Sequence, residues 1–234
     1  RQEIRLCNRS SIAFEAFRFD DLDSARNVPG AEASICRALE AHALFWDGAI
    51  VRQSLRTEQY AHSLATLAKL GLTYCCTCSR LALAGATVYP GTCRARGLAD
   101  IEAAIRFRCP NDMITFEDQC RGPQRINVAA ENGDFVVRRR DGVFAYALAT
   151  AVDDGAAEIT RVVRGRDLLQ LTGIQLALMD ALGLKRPSYA HLPLVVNSTA
   201  QKLSKQTHAQ PLGDNEALSN LRWGHVMALQ SIQY

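Results

Sequence analysis

The sequence predicts an α/β fold: a doubly wound, parallel, Rossmann-like sheet that carries a β-containing insert with a metal site. Three observations predict it. Apolar strand-like runs alternate with helical periodicity toward both ends of the chain. A stretch of short β-like segments interrupts that alternation in the middle. Three cysteines crowd together at Cys75, Cys76 and Cys78 where the interruption begins.

Phe14–Phe19 reads as a short strand running into the acidic cluster Asp20-Asp21-Leu22-Asp23. Pro29 stands where a helix would begin, and Ile35, Leu39 and Leu44 follow at roughly helical spacing. A second helix is expected near Arg56–Leu70, with Tyr60, Leu64 and Leu67 on one face and Gly71 as its stop. The cysteine segment Tyr74–Arg96 comes next, broken by Gly85, Pro90 and Gly91, and a short helix is expected around Leu98–Ile105. Ile114–Phe116, Arg125–Val128, Asp134–Arg138 and Phe144–Ala149 read as extended runs separated by glycine-containing turns. Ile159–Val163 reads as a β-branched strand, Asp167–Leu182 as a helix, and Leu194–Val196 as a buried strand. Residues 1–234 are thus read as one domain with an insert over about 73–130.

The 234 residues suffice to bury a substantial core. Apolar residues at 48% and charged residues at 22% match a globular chain. No apolar run approaches the roughly 20 residues of a membrane span, and Arg1–Asp20 lacks the apolar stretch of a signal peptide. A cytoplasmic, monomeric protein without membrane contact is expected. The net charge of +3 permits an RNA partner without arguing for one. With no secretory signal, the eight cysteines point to thiols and metal rather than disulfides.

Cys76 and Cys78 are two residues apart, so an extended or turn conformation can aim both sulfurs at one ion. Tyr89 and Cys93 can close the site across the Gly85 loop. Three thiolates and a phenolate make a closed tetrahedral zinc site, structural because no coordination position stays open. Cys75 is a competing ligand, and the alternative is that these cysteines are small buried apolar residues.

Lys202-Leu203-Ser204-Lys205-Gln206 follows an apolar run. A Lys-x-Ser-Lys loop in that position is how class I aminoacyl-tRNA synthetases hold ATP phosphates. A solvated basic turn is the alternative.

Taken with the cysteine segment, the chain resembles the glutamyl-Q tRNA(Asp) synthetases, a truncated branch of the glutamyl-tRNA synthetases within class I. The resemblance runs from about Arg18 onward. It is carried by Arg18-Phe19-Asp20-Asp21-Leu22-Asp23, Val28-Pro29-Gly30-Ala31, Trp46-Asp47-Gly48 and Cys76-Thr77-Cys78 with Tyr89 and Cys93. Further along it is carried by Asp134–Arg139, Ala145–Ala149, Val163–Leu169 and Lys202–Gln206 with His208. The resemblance implies a class I synthetase catalytic domain, without an anticodon-binding domain, that activates L-glutamate with ATP and passes it to the queuosine base of tRNA(Asp).

The resemblance also implies residue roles. Asp20 would receive the substrate ammonium, Tyr146 would contact the same amino acid, and Arg164 would hold a substrate carboxylate. Lys205 would touch ATP and stabilise charge on the α-phosphate, with Lys202 a second candidate, and Mg²⁺ would assist the phosphates. Cys76, Cys78, Tyr89 and Cys93 would hold one structural zinc. Each has a plainer alternative: a turn cap for Asp20, core packing for Tyr146, a surface ion pair for Arg164. Asp20 and Arg164 follow or end strands, where α/β sheets place ligands.

Two departures stand out. Nothing in Arg1–Ala16 matches the Arg-Phe-Ala-Pro-Ser-like and His-x-Gly-like segments that open the family. Asp20 stands where the family has glutamate, one methylene shorter and about 1.5 Å less in reach. Alternative readings are the catalytic fragment of a glutamyl-tRNA synthetase and a non-catalytic, zinc-containing RNA-binding paralogue. For RNA phosphates the sequence offers Arg94, Arg96, Arg106, Arg108, Arg121, Arg125 and Arg138–Arg140.

Overall fold

The computed structural model describes residues 2–9, 12–196 and 213–230. The Lys202–Gln206 loop, and with it Lys202 and Lys205, lies outside the described residues. The N-terminal third contains β1 (Gln2–Arg9), β2 (Ile12–Phe19), α1 (Ala31–Ala41), β3 (Val51–Arg52) and α2 (Thr57–Lys69). The middle contains β4 (Thr73–Cys76), β5 (Ala104–Phe107), β6 (Ile114–Asp118), β7 (Gly122–Ile126), the one-turn α3 (Val128–Glu131) and β8 (Val136–Arg138). The last third contains α4 (Tyr146–Ala156), β9 (Arg161–Gly165), α5 (Leu169–Ala181), β10 (Ser188–Leu192) and α6 (Ala217–Gln230).

Among the described residues a seven-stranded sheet has the order β3-β2-β1-β9-β10-β6-β7, and a three-stranded sheet the order β4-β5-β8. The large sheet has the expected parallel pairings of β2 with β3, β9 with β10, and β10 with β6. It is mixed rather than wholly parallel, because two hairpins add antiparallel pairs. In one, β1 pairs with β2 and touches β9; in the other, β6 turns through Gly122 (φ 69°) into β7. A tight turn can only return the chain antiparallel. The small sheet does not follow the 73–130 limits of the expected insert: β6 and β7 join the large sheet, and β8 joins the small one.

One hydrophobic core runs beneath both sheets. Tyr60, Leu64 and Leu67 of α2 supply it as their spacing predicts, with Gly71 (φ 71°) just past the helix end. Residues 147–154 of α4 and 172–179 of α5 are all buried, so both helices are covered on every side. Gly173 lets α5 sit directly on β7: a Cβ there would come within 2.8 Å of Ile126 Cγ2.

Three expectations fail. Phe144–Ala149 alternates like a strand, but Tyr146 opens α4. Its alanines and leucine are strong helix formers, and the helix continues through Asp153-Asp154 inside the core. The helix expected at Leu98–Ile105 is a bend followed by β5, because β5 is claimed on both edges by β4 and β8. The apolar strand expected at Leu194–Val196 instead lies earlier, at β10. It ends before Pro193, which has no N–H for the ladder, and Val195 and Val196 are exposed.

Candidate active site and metal centre

Asp20 follows the last residue of β2 and lines a cleft of about 210 Å³ with Leu22, Asp23, Gln53, Arg139 and Tyr146. The structure therefore brings Asp20 and Tyr146 into one cleft, the latter through the first turn of α4 rather than a strand. Asp20 does not cap a turn. Its Oδ1 accepts from Arg18 Nε at 2.7 Å, and its side chain is 3% exposed. Its Oδ2 is buried and has no hydrogen-bond partner among the described residues. Leaving a buried carboxylate oxygen unbonded is expensive, so the atom is a waiting acceptor for a cationic or N–H donor.

Arg18 ties this carboxylate to α4. Its Nη1 donates to Asp154 Oδ1 at 3.2 Å, and its Nε lies 3.7 Å from Asp153 Oδ2. Asp153 also accepts from Gln53 Nε2 at 2.9 Å, Arg56 Nε at 2.7 Å and Tyr60 Oη at 2.9 Å. Burial, then the Asp153 charge and hydrogen bond, push the Tyr60 hydroxyl far above its ordinary pKa, so it remains a donor. Asp21 is engaged by the Ser54 amide, and Asp23 by Arg139 at 2.9 Å. Sequence reasoning missed this network. Its one local signal is the pair Asp153-Asp154 after Ala-Leu-Ala-Thr-Ala-Val, where two carboxylates in an apolar helical run require partners.

Arg164 sits in β9 and is buried, which removes the surface ion pair as its role. It is not among the walls of the Asp20 cleft. Its Nη2 donates to Thr172 Oγ1 and Gln175 Oε1, both at 2.7 Å, and its Nε to His191 Nε2 at 3.2 Å. His191 donates from Nδ1 to Asp118, which also accepts from the amides of Cys120 and Arg121 at 3.0 Å. Burial pushes the His191 pKa down, Asp118 pulls it back, and Arg164 pushes it down again, leaving it below its ordinary value. Asp118 stays below the usual carboxylate range despite burial because His191 and these amides donate to it.

The cysteine segment converges as its spacing predicts. The sulfurs of Cys76, Cys78 and Cys93 all lie within 4.8 Å of one another, with Cys78 and Cys93 at 3.5 Å. Tyr89 Oη is 3.4 Å from Cys76 Sγ and 3.8 Å from Cys78 Sγ. Zn–S bonds of about 2.3 Å would put tetrahedral sulfurs about 3.8 Å apart, so four donors at this spacing fit one zinc ion. Burial raises the Cys93 pKa, but donors including the Thr77 backbone bring it down to about 6, favouring thiolate. Cys75 is outside the group. So is Cys109, whose thiol is raised to about 12 by burial and the nearby Asp134.

The arginines offered for RNA divide. Arg94, Arg96, Arg121, Arg125 and Arg140 are exposed. Arg138 and Arg139 are paired to Asp100 and Asp23, and Arg106 is buried.

The family described as tRNA synthetases class I (E and Q), catalytic domain, matches residues 15–86 and 89–222. A glutamyl-Q tRNA(Asp) synthetase of Ectopseudomonas mendocina is 47% identical over 201 residues, covering 86% of this chain and 68% of that protein. One from Pseudomonas aeruginosa PAO1 is 46% identical over 205 residues, covering 87% and 70%. Among solved structures, a glutamate tRNA ligase from Elizabethkingia meningosepticum, in complex with its amino acid, superposes with TM-score 0.70 at 27% identity. The match covers 81% of this chain and 44% of that one, so the chain spans under half the length of that structure.

Proposed function

The chain belongs to the glutamyl-Q tRNA(Asp) synthetase family of class I tRNA synthetases, and from that premise we propose that it activates L-glutamate with ATP and transfers it to queuosine of tRNA(Asp). The observation that carries the reading is Asp20: a buried carboxylate, fixed on one oxygen by Arg18, with its other oxygen awaiting a donor in a cleft shared with Tyr146. An amino acid's ammonium meets that requirement. The short side chain is a workable substitute for glutamate, because Arg18 sets its direction and a water can span the lost length.

In this reading Tyr146 contacts the same amino acid through its hydroxyl. Arg164 presents a guanidinium fixed by Thr172, Gln175 and His191 to a substrate carboxylate. The α-carboxylate oxygen of glutamate attacks the α-phosphorus of ATP, the bond to pyrophosphate breaks, and glutamyl-adenylate forms. A hydroxyl of the modified base then attacks the acyl carbon, and AMP leaves. Lys205, with Lys202, stabilises charge at the α-phosphate. Magnesium, when bound, neutralises phosphate charge. Cys76, Cys78, Tyr89 and Cys93 hold one zinc as a structural cross-link, with no step passing through it.

Glutamate-dependent ATP–pyrophosphate exchange without tRNA tests the reading. Exchange in the absence of tRNA is expected. Exchange only when tRNA(Glu) is added would favour ordinary glutamyl-tRNA charging, in line with the glutamate tRNA ligase neighbour. No exchange under either condition would favour the non-catalytic RNA-binding reading.

A further inference from the structure

A site of three thiolates and a phenolate leaves the zinc-loaded loop with a net charge of about −2. Such charge in a partly buried place needs a counter-charge, because an uncompensated ion removed from water is strongly disfavoured. The counter-charge comes from the neighbouring sheet. Arg106, on β5, is 8% exposed, and its guanidinium carbon lies 3.6 Å over the centre of the Tyr89 ring.

This placement is built. Arg106 Nη1 donates to the Asp134 carbonyl at 2.6 Å. The Tyr89 amide donates to the Asn132 carbonyl at 3.3 Å, so one turn, Asn132-Gly133-Asp134, grips both partners. Gly133 sits at φ +67°, and a Cβ there would lie 2.6 Å from Tyr89 O, so only glycine lets the turn approach so closely. The Cys93 amide donates to Tyr89 Oη at 2.9 Å, a second feature that suits an oxygen carrying negative charge. No other arginine lies over this ring among the described contacts.

Resting on the reading that these four residues hold zinc, we propose that Arg106 is a positioning residue of the metal centre. It orients the Tyr89 ring from behind and supplies the cation that makes tyrosine a competent fourth ligand. Cation–π attraction fixes the ring before the ion arrives, and the same charge offsets the excess negative charge afterward.

Zinc affinity of the purified chain, measured by competition with a chromophoric chelator, tests this. Arg106→Gln and Arg106→Lys are each made in the native and the Tyr89→Phe background. Arg106→Gln should weaken zinc binding roughly tenfold or more in the native background, and Arg106→Lys, which keeps the charge, should recover part of the loss. In the Tyr89→Phe background both losses should shrink markedly, because the ring stays beneath Arg106 but the phenolate oxygen that it positions is gone. Equal losses in both backgrounds, or no loss in either, would overturn the proposal. A native chain that takes up no zinc would overturn the metal-site reading itself, a distinguishable failure. If Arg106→Gln does not fold by circular dichroism, the two Arg106→Lys proteins decide the matter by the same comparison.

Discussion

The Asp20 cleft and the cysteine loop are assembled over very different chain distances. Arg18 reaches Asp154 across 136 positions, Gln53 reaches Asp153 across 100, and Tyr60 reaches the same carboxylate across 93. The four candidate metal ligands all fall between Cys76 and Cys93. The cleft is thus a product of the folded core: its carboxylates have the right partners only when β2, α2 and α4 are packed together. The cysteine loop needs an ion to do what packing does for the cleft, and it meets the rest of the fold through Cys76 in β4, the Tyr89–Asn132 hydrogen bond, the Arg140–Thr77 hydrogen bond and the Arg106 stack. Damage to the cleft should therefore register as lost global stability, and damage to the loop as lost metal with a local consequence.

The largest expected effect separates the two outright. Removing zinc by a strong chelator, or replacing Cys78 with Ser, should free amides 77–93 for hydrogen exchange while α4 and α5 remain protected, since closed zinc sites contribute folding energy locally. Loss of protection throughout would show that the loop and core are one cooperative unit. Next, Arg18→Met should destabilise the whole chain by about 3–5 kcal/mol in urea titration, because it strands Asp20, Asp153 and Asp154 with less compensation. A change confined to a few tenths would mean these carboxylates find water.

Smaller effects sharpen the comparison. Asp20→Asn removes charge at the cleft while keeping shape, so the KM for glutamate should rise roughly ten- to hundredfold with the KM for ATP little changed. Parallel shifts in both would argue for a scaffolding role. Gly133→Ala should cost about 1–3 kcal/mol locally, from the positive φ and the approach to Tyr89, and should weaken zinc uptake.

The smallest effect is on pH dependence. The folded-state pKa of His191 lies below its ordinary 6.5, so the unfolded chain binds more protons in that window. Stability should fall as pH drops from 6.5 through the folded value. His191→Gln should flatten that segment of the curve. Asp118, whose pKa is lowered from 3.8, gives stability that is present above that value and lost as pH falls further below it.

The contrast in chain distance also explains what could be read from sequence. The convergence of Cys76, Cys78, Tyr89 and Cys93 is legible because their spacing is local. Helix α2 was legible because Tyr60, Leu64 and Leu67 repeat at helical intervals on a face that meets the core. Helix α4 was not, because a helix buried on all sides loses the amphipathic signal and its first residues alternate in size like a strand. Asp20 and Tyr146 are named by the resemblance, but Arg18 as the link between Asp20 and α4 is hidden, since its partner Asp154 lies 136 positions away. Arg106 was grouped with surface arginines because sequence does not reveal which arginine is covered.

One consequence follows from where β8 stops. It ends at Arg138 in the small sheet, and the very next residue, Arg139, is already a wall of the Asp20 cleft and paired to Asp23. No linker absorbs slack between the two. Anyone transplanting the cysteine loop from a relative, or trimming it to a shorter turn, has freedom in the loop itself but almost none in the strand register beneath it. A slip of one residue would turn Arg139 to the opposite face and open one side of the cleft.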